Sequence, residues 1–104
     1  MGKIVKLIEL VERLAELDGE ETIYACEPWT EDSDAMVALE DPDRKPFGIP
    51  VEAAEAGMSY FLEVFLARDE VLEGWIRSLD EKPTLAATCQ RLIEYAINDA
   101  SGIA

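Results

Sequence analysis

The sequence predicts an α+β fold: a mainly helical single domain over residues 1–104 that carries a small antiparallel β-hairpin. Three observations carry this expectation. Apolar residues recur at helical spacing near both ends of the chain. Two short runs of β-forming residues, Thr22–Cys26 and Ala35–Glu40, flank a turn-rich loop. Met58–Leu79 (MSYFLEVFLARDEVLEGWIRSL) is the one window long and apolar enough to centre a core. At 104 residues the length prior is one domain, and 49% apolar content argues against disorder of the whole chain.

The first element expected is a helix over Lys3–Leu17. Ile4, Leu7, Ile8, Val11, Leu14 and Ala15 form one stripe at the i, i+3, i+4, i+7 positions. Glu9 and Arg13 stand four apart with the acid first, the better order for a helical pair. Asp18-Gly19 ends the helix, with Gly19 suited to a left-handed cap.

Thr22–Cys26 (TIYAC) reads as a strand that points Ile23 and Ala25 one way and Tyr24 and Cys26 the other. Glu27–Asp34 reads as a loop of about eight residues, since Pro28 removes a ladder donor and the small polar residues favour turns. Ala35–Glu40 is the second strand of the hairpin. A two-stranded hairpin is barely stable alone, so it must lie on a helix or gain a third strand. Asp41–Pro50, with three prolines and a glycine, is the main break in the chain. Val51–Ala56 lies between Pro50 and Gly57, the arrangement of a one- or two-turn helix.

Met58–Leu79 admits two readings. As a continuous helix, it places eight apolar residues among nine stripe positions (58, 61, 62, 65, 66, 69, 72, 76 and 79). As a strand followed by a helix from about Arg68, it alternates Tyr60, Leu62, Val64 and Leu66 against Phe61, Glu63 and Phe65. The helical reading underlies the mainly helical fold. The alternative gives a three-stranded antiparallel sheet packed against helices. Trp75 reads as a core residue, and Gly74 as a place for close approach of a neighbour. Arg68, Asp69 and Glu70 read as an ordinary charged edge. Asp80–Pro83 ends the element. Thr84 opens the last helix, Leu85 to about Asn98, whose stripe carries Cys89 on its apolar face. Asn98–Ala104 reads as a frayed tail.

Composition excludes more chemistry than it suggests. No His is present among 104 residues, so Ser-His-Asp and Cys-His nucleophilic systems cannot be built within the chain. Cys26 and Cys89 are too few and too far apart for a structural zinc set, and they read as reduced structural residues. Phosphate-cradling glycine motifs are lacking, and Arg44-Lys45 is the only adjacent basic pair. Asp32-x-Asp34 and Asp41-x-Asp43 resemble the start of a calcium loop but lack its next acid and its glycine. No catalytic residues, no metal and no cofactor are therefore expected, and the chain is read as not an enzyme.

Charge is the informative feature. Against 9 Lys and Arg stand 23 Asp and Glu, a net charge of −14. Such a field opposes nucleic acid and anionic lipid and favours a basic partner. No apolar run spans a membrane, and no leader is read at the N-terminus, so a cytoplasmic protein is expected. From Leu14 to Asp43 the chain carries eleven acids and no Lys or Arg. Trp29 sits inside this segment, and an aromatic among acids has the composition of a hot spot for a basic surface. The candidate partner-binding residues are Glu27, Trp29, Glu31, Asp32, Asp34, Asp41 and Asp43. The competing reading is that the acids mark solvated loops and Trp29 folds back on the core.

The segments TIYACEPW, YFLEVFLARDEVLEGW and CQRLIEYAINDA have the look of a bacterial single-domain protein, and no functional residues are carried over from that look. Two functions fit. One is a small acidic binding or inhibitor protein that covers a basic protein surface, either as an immunity-type inhibitor or as a nucleic-acid mimic. The other is a structural or accessory domain whose acidity serves solubility, with two copies associating as a homodimer through an apolar patch. A small carboxylate enzyme is the third reading, and it needs a cleft.

Overall fold

The structure is a computed structural model that describes residues 4–39 and 49–102, with side chains through Asn98. In chain order it contains β1 (Val5–Lys6), α1 (Leu7–Glu12), a 3₁₀ turn (Leu14–Glu16), β2 (Thr22–Cys26) and β3 (Asp34–Ala38). These are followed by α2 (Val51–Glu55), β4 (Met58–Glu63), a π-helical segment (Leu66–Leu72), α3 (Glu73–Arg77) and α4 (Leu85–Gly102). The fold is α+β. Most of the Asp41–Pro50 connection, with Asp41 and Asp43, lies outside the described residues.

The strands form one antiparallel sheet of four, in the order β1-β3-β2-β4. This corrects the expectation of a mainly helical domain with a hairpin. The hairpin is present as β2 and β3, but a strand is added on each side of it. β4 is the first half of Met58–Leu79, so that stretch is a strand followed by a helix and not a continuous helix. The physical reason is the instability of an isolated hairpin, which leaves two open edges to be paired. β1 is the second correction. Val5 and Lys6 lie opposite Ala35 and Asp34, so the helix expected from Lys3 starts only at Leu7. Ile4, expected on the helical stripe, is 51% exposed.

The sheet has two covered faces. Ile23 and Ala25 of β2 and Ala35 of β3 face the main core with Leu7, Leu10, Val11 and Leu14 from α1 and its 3₁₀ extension. The π segment adds Ala67, Val71 and Leu72, and α4 adds Cys89, Leu92, Ile93 and Ala96. Tyr24 and Met36 face the other side, where Ala53 of α2 and Met58 complete a smaller cluster. The alternation read from TIYAC is the one observed. β4 breaks its own alternation at one place. Its register with β2 shifts between Ile23 and Tyr24, which lie opposite Leu62 and Tyr60. Phe61 is the extra residue, and both Phe61 and Leu62 enter the main core.

Local chemistry explains the element ends. The Lys6 N–H donates to the Glu9 carboxylate at 3.3 Å at the start of α1. Thr84 opens α4 as expected, its Oγ1 accepting the Ala87 N–H at 3.0 Å. Gly57 ends α2 with φ 77°, a left-handed conformation that favours glycine. Gly19 is not left-handed, contrary to expectation. A Cβ on Gly19 would stand 3.0 Å from Arg68 Nη2, so its lack of a side chain leaves room for that guanidinium. Gly74 has no neighbour within 4 Å of a built Cβ and permits no close approach.

Candidate functional site

Five of the seven candidate residues, Glu27, Trp29, Glu31, Asp32 and Asp34, come together on the loop Glu27–Ser33 and the first residue of β3. The loop carries its own bonding. Ser33 Oγ accepts the Thr30 N–H at 2.8 Å and donates to the Pro28 carbonyl at 3.2 Å. Thr30 Oγ1 accepts the Asp32 N–H at 3.2 Å, and the Ser33 N–H donates to the Thr30 carbonyl at 3.1 Å. The TEDS sequence thus closes on itself through its two hydroxyls, the local bonding that Ser and Thr supply in turns.

The loop is also held against α1. The Leu7 N–H donates to the Ser33 carbonyl at 2.8 Å and the Ile8 N–H to the Glu31 carbonyl at 3.0 Å. Two of the amides that a helix start leaves unpaired are satisfied in this way. The carboxylates of Glu31 and Asp34 are carried by the same segment, at the helix end whose partial charge is positive. The loop is therefore a fixed shape, bonded to itself and to α1.

Trp29 does not project from the loop. Its indole is half-buried against the main core, edge-on to Phe61 with centroids 5.1 Å apart and planes at 87°. Its Nε1–H donates to the Ala25 carbonyl at 3.2 Å. Trp29 therefore folds back on the core, as the competing reading had it, and anchors the loop from below.

The carboxylates lie around this anchor. Asp34 pairs with Lys6, directly across from it in the β1–β3 register, at 3.1 Å between exposed groups. Glu31 Oε2 accepts the Gln90 side-chain amide at 3.2 Å, which ties the loop to α4. Glu27 Oε1 accepts the Ser59 hydroxyl at 3.1 Å. The Asp32 side chain is exposed and makes no ion pair among the described residues. Lys6, Ser59 and Gln90 join the site from three distant segments, and no local pattern announces them.

The acidic stretch is not one patch. Glu16, Asp18, Glu20 and Glu21 precede β2, while Glu27, Glu31, Asp32 and Asp34 follow it. The five residues of β2, about 13 Å long at the ordinary strand rise, stand between the two groups. Charge that is continuous in sequence is thus divided between the two ends of the sheet.

Neither thiol is freely exposed. Cys89 is fully buried, and burial first, with the Glu31 charge second, pushes its thiol up to about 11. A thiol so shifted stays protonated near neutrality. Cys26 is half-buried and donates through Sγ to the Ala56 carbonyl at 3.4 Å. Among the described residues, no group of three or more Cys, Asp and Glu could hold a metal ion. Also among the described residues, no helix is long and apolar enough to cross a membrane.

Comparison of the chain with protein-family profiles, with curated proteins and with solved structures finds no match.

Proposed function

We propose that this chain is a small acidic binding protein that covers a basic surface of a protein partner through the Glu27–Asp34 loop. The observation that carries the reading is a loop bonded to itself, to α1 and to α4, which holds the Glu27, Glu31 and Asp34 carboxylates and carries Asp32 exposed beside them. A charged surface held in one conformation loses little entropy on binding. Its field steers a basic partner toward it. The partner is a toxin in the immunity-type form and a nucleic-acid-binding protein in the mimic form. The protein acts in the cytoplasm without catalysis, and Trp29 supports the loop.

The test starts with a pull-down from the native host at low and high salt. Association rates of the recovered partner are then measured against salt for the native chain and for Glu31→Lys with Asp32→Lys. The reading expects an on-rate that falls steeply with salt and at least tenfold in the double variant, with folding retained. An on-rate indifferent to both would sink it.

A second reading is favoured by one observation. Glu27, Glu31 and Asp34 are each engaged within the chain, by Ser59, Gln90 and Lys6. Acids used in this way serve an accessory domain whose charge maintains solubility. That reading expects the double variant to leave every interaction unchanged.

A further inference from the structure

The stripe that centres the core leaves it at α3. Leu72, Ile76 and Leu79 stand at i, i+4 and i+7, one helical face in the sequence. Leu72 is buried, yet Ile76 is 39% exposed and Leu79 is 36% exposed. Leu66–Leu72 is π-helical, and a π-helix turns less per residue than an α-helix. The segment buries Ala67, Val71 and Leu72, and α3 continues the chain beyond Leu72. No residue of α3 is fully buried, and Trp75, expected in the core, reaches it half-buried. The Leu79 N–H donates to the Ile76 carbonyl at 3.1 Å, which holds the two apolar side chains on one turn.

The charges beside this face select its occupant. Glu70, Glu73, Asp80 and Glu81 lie within six residues of Ile76 and are exposed. Arg77 is spent on Glu73 at 2.7 Å, which leaves Lys82 as the one nearby cation among the described residues without an ion pair. A second copy would bring the same acids against these and add another −14. A protein whose apolar groove has a basic rim meets both the apolar turn and its acidic border. We propose that α3 and the turn that follows it form a docking element whose Ile76 and Leu79 enter such a groove on a protein partner. The inference rests on the reading of the chain as a binder of basic partners, and it supplies the apolar anchor that Trp29 does not offer.

The test uses two synthetic peptides of equal charge as probes. One is an amphipathic helix of Lys and Leu at helical spacing, and the other replaces every Leu by Ser. The native chain is expected to bind the Lys-Leu peptide at least tenfold more tightly than the Lys-Ser peptide. Ile76→Ser with Leu79→Ser should abolish that difference and leave Lys-Ser binding intact, with folding checked by circular dichroism. Glu31→Lys with Asp32→Lys should weaken both peptides and preserve the difference. Equal binding of the two peptides by the native chain, or a difference that survives the α3 variant, overturns the proposal. A dimer seen by sedimentation and lost in the α3 variant also overturns it, by giving the face to a second copy. Failure of the loop variant alone removes the loop reading and leaves α3 standing.

Discussion

Trp29 and Phe61 meet edge to face, with centroids 5.1 Å apart and planes at 87°. One comes from the acidic loop and the other from the bulge of β4, so a single aromatic pair joins the surface segment to the core strand. Trp29→Ala should destabilise the fold by about 2 to 4 kcal/mol, the range for truncating a large, partly buried aromatic. Trp29→Phe keeps a ring against Phe61 and loses only the bond to the Ala25 carbonyl, at about 1 kcal/mol. That carbonyl also accepts the Ser59 hydroxyl at 3.4 Å, which softens the loss. Urea unfolding of the three proteins checks the order.

Arg68 closes the end of the 3₁₀ turn from another part of the chain. Its Nη1 donates to the Leu17 carbonyl at 2.9 Å and the Leu14 carbonyl at 3.4 Å, while Nε bonds Asp69 at 3.3 Å. Arg68→Ala should destabilise by about 1 to 3 kcal/mol, as expected for bonds from a charged donor. Arg68→Lys should recover little, because an ammonium cannot reproduce the planar fork. Gly19→Ala crowds the same guanidinium, so its effect should shrink in an Arg68→Ala background. A double-mutant cycle measures that coupling, and strict additivity would contradict it.

Cys89 gives stability a pH dependence of known sign. Its folded value is raised from 9.0 to about 11, so the folded chain holds the thiol proton to higher pH than the unfolded chain. The contribution is complete below about pH 9 and is lost as pH rises toward about 11. Unfolding free energies measured across this window should fall for the native chain and fall less for Cys89→Ala. At neutral pH, a thiol reagent should modify Cys89 only after denaturation.

Two glycines have opposite expectations. Gly57 is left-handed with open space around it, so Gly57→Ala carries only backbone strain and should destabilise by about 1 kcal/mol. Gly74 lies in α3 with ordinary backbone and open space, so Gly74→Ala should stabilise by about 0.5 to 1 kcal/mol. Thermal midpoints should move in opposite directions.

Much of the local structure was legible in the residues. Thr22–Cys26 forms a strand over those five residues with the expected facing. Val51–Glu55 ends at Gly57, and Thr84 opens α4. These features depend on near neighbours: strand alternation, turn residues and caps. The strand in the first half of Met58–Leu79 was legible only as an alternative. Both periodicities fit the same residues, and the outcome depended on an open edge of β2, whose Cys26 pairs with Met58 far along the chain. The candidate site was half legible. Its acids were visible, but the inward turn of Trp29 depends on Phe61, and the engagement of Glu31 depends on Gln90.

By itself, the sequence determined the α+β class, the apolar centre of the chain, the burial of Cys89 on a helical face and the exclusion of His-based chemistry. All of these follow from composition and from spacing within one element. The tertiary structure decided which strands pair, where the two acidic groups lie and which apolar residues face solvent. The edge of β3 turned Val5 and Lys6 into a strand, and β2 drew in Met58–Glu63. Beyond the buried Leu72, Ile76 and Leu79 are left facing solvent. Each strand pairing is a competition between a local preference and a hydrogen-bond partner far away in sequence, and the pairing that leaves fewer open strand edges prevails.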